Sequence, residues 1–203
     1  EGVTLNNIGI VYKNLGRYEL ALENLQQALV LLKEIGDRKG EGVTLSNIGV
    51  VYEDLGRYEQ ALDYYQNALA ISKDIGDRPG EGITLNNIGF VYAKQADKAK
   101  AISFFQQFIQ VNESIQKDLK VEEFKTTYAA QQVNAYLALV NLLAQEKRYE
   151  ESFNYAERSR ARAALDQLGN KRIDIRQGAA AELLQREQDI LNRLSILRRQ
   201  LIT

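Results

Sequence analysis

The 203-residue chain contains no histidine, no cysteine, no methionine and no tryptophan, and a single proline. Without histidine it lacks the side chain that most often acts as general base and as metal ligand near neutral pH. Without cysteine it has no disulfides, no thiolate ligands and no sulfur nucleophile. These absences argue against an enzyme, and no catalytic residue, metal or other cofactor is expected. A cysteine-free chain also fits a reducing cytoplasm. The opening EGVTLNNIGIVY has neither a basic n-region nor a small-residue cleavage site, so no secretory leader is expected. It starts without methionine inside an apolar pattern of helical period, which points to a piece of a longer chain. The formal net charge of -1 speaks against a nucleic-acid partner. No apolar run approaches the roughly 20 residues that span a bilayer, so no membrane partner is expected either.

What the chain does have is self-similarity. EGVTLNNIGIVYKNLGRYELALENLQQALVLLKEIGDRKG is followed at once by EGVTLSNIGVVYEDLGRYEQALDYYQNALAISKDIGDRPG and then by EGITLNNIGFVYAK. The period is 40 residues, and the first two units agree at roughly two-thirds of their positions. The 14 glycines are nearly all in phase with it, so they punctuate the repeat and do not form a linker.

Each unit reads as two helices. Leu5, Ile8, Gly9 and Tyr12 recur at three- and four-residue steps on one face of the first. Beyond Gly16, the series Tyr18, Ala21, Leu22, Leu25, Ala28, Leu29 and Leu32 defines the second. Gly36 suits a left-handed stop, and Asp37 stands where it can cap the next first helix. Pro79 falls in the first turn of its helix, where its missing N–H costs nothing, so first helices start near Arg38 and Arg78. Small residues at Gly9, Ala21 and Ala28, repeated at Gly49, Ala61 and Ala68, allow close helix approach. Neither helix can bury its stripe alone, whereas stacked units bury a continuous core.

The order Leu5, Ile8, Gly9, Tyr12, Ala21, Leu25 and Ala28 resembles the tetratricopeptide repeat. The unit departs from that family in its 40-residue length and in ending on IGDR instead of proline. Longer units of this kind are similar to those of kinesin light chain and of LGN-type polarity proteins. The resemblance implies an all-α solenoid, a right-handed superhelix of antiparallel helix pairs, that holds a partner protein or peptide. Three units are expected at 1–40, 41–80 and 81–120, the first truncated at its N-terminus.

The pattern fades after Gln95. Ala96 stands at the turn glycine and Phe108 at a small position. Arg148-Tyr149 matches Arg57-Tyr58 only after about eleven extra residues, which are expected to lengthen the helices around Gln116 to Tyr136. A degenerate fourth helix pair is assigned to 121–168. A loop over Lys171 to Gly178 then leads to a C-terminal helix whose Leu183, Ile190, Leu194, Leu197 and Leu201 form a heptad-like seam. That seam suits either self-association or packing on the last repeat. The stretch AERSRARAALDQL with the leucine-rich helix after it resembles the junction between tetratricopeptide arrays and CHAT domains, a caspase-like protease fold, in bacterial and especially cyanobacterial proteins. That resemblance implies a regulatory or oligomerising arm contacting a downstream domain. The many arginines here, Arg158, Arg160 and Arg162 among them, fit either a solvated face or an acidic partner.

At about 100° per residue, the first-helix positions opposite the buried face are Val3, Asn7, Ile10 and Asn14. They recur as Val43, Asn47, Val50 and Asp54, and as Ile83, Asn87, Phe90 and Lys94. In tetratricopeptide arrays this face lines the concave surface. The candidate peptide groove is therefore Asn7, Ile10, Asn14, Asn47, Val50, Asp54, Asn87, Phe90 and Lys94. An amide offers both donor and acceptor and can clamp an extended backbone without reading its sequence; the competing reading is that these asparagines only solvate the helix. Lys13 and Lys94, interrupted by Glu53 and Asp54, are too sparse to clamp a C-terminal carboxylate. The recurring GEG has neither a preceding strand nor a Lys-Ser/Thr sequel, so it is no phosphate loop.

Overall fold

The structure, a computed structural model, describes the backbone of residues 1–118 and 125–161 and the side chains of 1–115 and 132–161. The described backbone is a series of helices in antiparallel pairs. They are α1 (Gly2–Asn14), α2 (Tyr18–Glu34), α3 (Arg38–Asp54), α4 (Tyr58–Asp74), α5 (Arg78–Lys94), α6 (Lys98–Asp118) and α7 (Lys125–Gln145). An eighth, α8, covers residues 149–161. Residues 1–156 form one compact unit, to which everything below refers. The expected loop at 171–178 and the C-terminal seam lie outside the described residues.

The stops of α1–α5 and α7 follow one rule. The N–H of Gly16 bonds the Lys13 carbonyl and that of Arg17 reaches back to the Tyr12 carbonyl, both at 2.9 Å. This paired closure needs a left-handed residue, and Gly16, Gly36, Gly56 and Gly76 all lie at φ near +70°. Ala96 takes the same conformation at φ 59° and Lys147 at φ 60°, with Asp97 bonding the Tyr92 carbonyl and Arg148 the Leu143 carbonyl. Lys147 thus occupies the turn-glycine position of the fourth unit and fixes its register. Starts are equally local. Asp37 Oδ1 accepts from the Gly40 N–H at 2.9 Å, and Pro79 sits in the first turn of α5.

Within a pair, the helices cross where glycine faces a large side chain. A Cβ on Gly49 would stand 2.6 Å from the Tyr65 ring, and one on Gly89 2.8 Å from Phe105; on Gly9 it would meet Leu25. In the fourth pair the sizes are exchanged, with Val140 at the glycine position and Ala156 at the ring position. Phe108, at a position alanine holds in earlier units, is buried in a cluster with Ala135, Leu139 and Leu143. α6 and α7 each run to 21 residues where α3 and α4 have 17, so the extra length does extend these helices.

The buried face of a first helix is wider than one stripe. Beside Leu45, Ile48 and Tyr52, Thr44 and Val51 are buried in α3, and Thr84 and Val91 in α5. Each internal first helix is covered by its own partner and also by the second helix of the preceding pair. Leu22 and Leu29 of α2 pack in the same cluster as Ile48 and Val51 of α3. In α1, by contrast, Ile8 is exposed and Leu5 only half-buried.

Two outcomes test this account. Ala96→Gly and Lys147→Gly should each stabilise the array by about 1 kcal/mol, because a left-handed Cβ is strained; denaturant midpoints measure it. Gly49→Ala should cost roughly 1–3 kcal/mol by overpacking against Tyr65, read from the same midpoints.

Candidate peptide groove on the first helices

Successive first helices touch directly, α1 against α3 and α3 against α5. The ties between them join residues 38 or 41 positions apart. Asn6 Oδ1 accepts from Asn47 Nδ2 at 2.9 Å and from Thr44 Oγ1 at 3.2 Å. Lys13 Nζ stands 4.0 Å from Asp54 Oδ2. Lys94 Nζ donates to Glu53 Oε1 at 2.8 Å, while Tyr65 donates its hydroxyl proton to Glu53 Oε2 at 2.8 Å. The separations of 38 and 41 differ from 40 because the side of one first helix that faces the next carries other positions than the side that faces back.

Glu53 therefore joins α4 and α5 to α3. Burial, with the adjacent Glu53 carboxylate adding to it, pushes the Tyr65 hydroxyl pKa well above its ordinary value. The hydrogen bond to Glu53 raises that of the Lys94 ammonium, against a smaller opposing effect of burial. Both donors keep their protons at neutral pH.

The nine candidate groove residues divide by exposure. Asn7 and Asn14 are exposed, whereas Asn47 and Asn87 are half-buried. Asn47 gives one of its two amide protons to Asn6. Ile10, Val50 and Phe90 are half-buried, not fully outward. Val50 leans on the core shared by α2, α3 and α4, and Phe90 meets Phe105 edge to face at 5.0 Å. Asp54 and Lys94 lie on the same surface, but each is drawn to a charge on the neighbouring first helix.

Sequence reasoning missed Asn6, Thr44, Glu53 and Tyr65. A signal existed in the doublets Asn6-Asn7 and Asn86-Asn87, whose first members are both buried. Ser46 interrupts that series in the middle unit. Asn86 differs from Asn6 in its surroundings, since its Oδ1 is buried without a hydrogen-bond donor.

A second polar cluster lies where α2, α3 and α4 meet. Buried Glu41 accepts from Arg38 at 2.6 Å, Lys33 stands 3.8 Å from it, and Arg38 also approaches Asp74 at 3.7 Å. The next unit repeats this, with Arg78 donating to Glu81 at 2.6 Å and to Ser114 Oγ at 3.0 Å. These arginines are committed to clamping the first turn of a first helix against the end of its partner. Among the described residues, no group of three carboxylate, histidine or cysteine side chains is arranged to hold a metal, and no helix is long and apolar enough to cross a membrane.

Antiparallel helix pairs repeated every 40 residues and tied first helix to first helix define a helical-repeat array. The chain belongs to the tetratricopeptide-repeat family, whose model matches residues 1–74 and again 40–114. No curated protein matches the sequence. Among solved structures, it is similar to BtubC (BKLC) from P. vanneervenii at 18% identity and a TM-score of 0.68, over 81% of this chain and 64% of that one. Aspartyl phosphate phosphatase F from Bacillus subtilis matches at 19% identity and a TM-score of 0.68, over 79% of this chain and 39% of its own. The kinesin-light-chain repeats of Podosopora anserina match at 15% identity and a TM-score of 0.58, over 82% and 76%. The chain thus spans less than two-thirds of the first two of these proteins, and the likeness is one of fold.

Asn6 and Asn86 give a paired test of the ties between units. Asn6→Leu should cost about 1–3 kcal/mol, because it leaves the Thr44 hydroxyl and the Asn47 amide without an acceptor. Asn86→Leu should be neutral or stabilising, because it removes a buried carbonyl that has no donor. Chemical denaturation of the two variants compares them directly.

Proposed function

We propose that the chain is a non-enzymatic interaction scaffold whose first helices hold an extended segment of a partner protein. The observation that carries this reading is the placement of Asn7, Asn47 and Asn87. They recur at one position of three helices that touch in series, beside the half-buried Ile10, Val50 and Phe90. Packed helices stand roughly 8–10 Å apart, and an extended chain advances about 3.3 Å per residue. One amide would therefore meet a bound strand about every third residue. The charges on this surface are drawn to one another, so it favours backbone polar groups and small apolar side chains over a charged terminus. Asn14 extends the polar rim at one edge. A cytoplasmic setting suits a cysteine-free chain with this role.

A library of unstructured twelve-residue peptides displayed on phage provides the test. Enriched peptides are titrated against the parent chain and against an Asn7→Ala/Asn87→Ala variant, with Asn47 kept because it ties two units together. Losing two amide contacts at about 1 kcal/mol each should weaken binding roughly 30-fold, and Phe90→Ala should weaken it further. Affinities unchanged in both variants would rule the groove out.

A further inference from the structure

The joint between the third and fourth pairs lacks a bond that the first joint makes. Asn6 of α1 is 7% exposed, and its Oδ1 accepts from Thr44 Oγ1 and Asn47 Nδ2 of α3, the next first helix. Asn86 holds the same position in α5 and is buried to the same 7%, but its Oδ1 has no donor. The next first helix here is α7. With Lys147 in register with Gly56, Ala135 stands at the Thr44 position and Ala138 at the Asn47 position, so both donors are cut back to methyl groups. Ala135 is fully buried and Ala138 half-buried, and both belong to the core that Leu85 and Phe90 of α5 share with α7. The ion pair that ties α3 to α5 has no successor either, because Ala93 and Gln145 occupy the positions of Glu53 and Lys94.

A carbonyl oxygen buried without a donor costs stability, and folds break such local rules where a site serves binding. We propose that Asn86 is a specificity-determining acceptor of the groove, receiving a neutral donor side chain of the partner, a carboxamide or a hydroxyl, in the place that Thr44 and Asn47 fill inside the array. The inference rests on the groove reading above and names what one position of the bound segment must carry. Ala138 holds the place of Asn47, itself a groove residue, so the approach to Asn86 runs over a methyl group from the groove side. The terminal torsion of an asparagine is soft, and a turn about it brings Oδ1 toward an incoming donor. Because Oδ1 lies beneath the surface that Asn87 and Phe90 line, a side chain reaches it and the backbone of a bound strand does not. A lysine or arginine is disfavoured. Residues 132–145 of α7 carry no charged side chain, so a cation seated against them would lose its hydration without gaining a counter-charge.

The twelve-residue peptides enriched from the phage library on the parent chain are the probe. They should carry Asn, Gln, Ser or Thr at one fixed position, the amides marking a carboxamide donor and the alcohols a hydroxyl. Changing that residue to Ala in a synthetic peptide should weaken binding roughly tenfold. Asn86→Leu in the protein should cost the same factor, and the two losses should not add, because each removes the same hydrogen bond. Ala138→Asn is the second variant. It rebuilds the tie inside the array, so it should raise the denaturant midpoint and lower affinity for the same peptides by a similar factor. Midpoints no lower than the parent's establish that both variants fold. Peptides that lose affinity with Asn7→Ala/Asn87→Ala but not with Asn86→Leu would overturn this inference and leave the groove reading standing. A fixed Lys or Arg, or losses that add in full, would overturn it too. Failure to enrich any peptide, or peptides indifferent to all three asparagines, would sink both readings together.

Discussion

The close crossing of the two helices in each pair is the constraint on which the array depends. At Gly49 the backbone of α3 comes so near the Tyr65 ring that a single methyl group would collide with it. That proximity lets two narrow apolar stripes become one buried layer, and it leaves the opposite sides of both helices available for neighbouring pairs. Dispersion and burial are both short-ranged, so a helix pair held apart by a larger residue would forfeit contacts along its whole length. The Gly9 and Gly89 crossings set the same separation in the flanking units, and the regular stack follows.

The period, the helix boundaries and the stops were legible because each is written locally. Gly36, Asp37 and Pro79 act on their own few residues, and the structure places α3 and α5 at Arg38 and Arg78 as the caps imply. The fourth pair was legible through Arg148-Tyr149, although Val140 and Ala156 exchange the sizes that identify a crossing elsewhere. The breadth of the buried face was not legible, since Thr44 and Val51 are covered by a helix from another unit. The candidate site was read in part. The arithmetic of one isolated helix selects positions on the adjoining first helices, but the contribution of Asn6 and Glu53 depends on which side of one first helix faces the next. That facing has no counterpart in a single unit's sequence.

The same cross-unit ties shape the surface proposed as a groove. Were Lys13, Asp54, Glu53 and Lys94 independent, this face would display scattered charges of both signs. Drawn together between neighbouring first helices, they leave amides and half-covered apolar groups as its distinctive chemistry. Exposed ion pairs add little stability on their own. Glu53 differs in also receiving a proton from a buried tyrosine hydroxyl, which anchors the carboxylate in one orientation.

The left-handed stops also bear on cooperativity. In a stacked array each unit contacts only its neighbours, so unfolding is governed by the intrinsic stability of each unit and its coupling to the next. Glycine closes every turn from Gly16 to Gly76, whereas Ala96 and Lys147 close theirs under strain. Two turns of the array therefore carry a local cost that the glycine turns do not, and an opening fluctuation that releases either one recovers that strain.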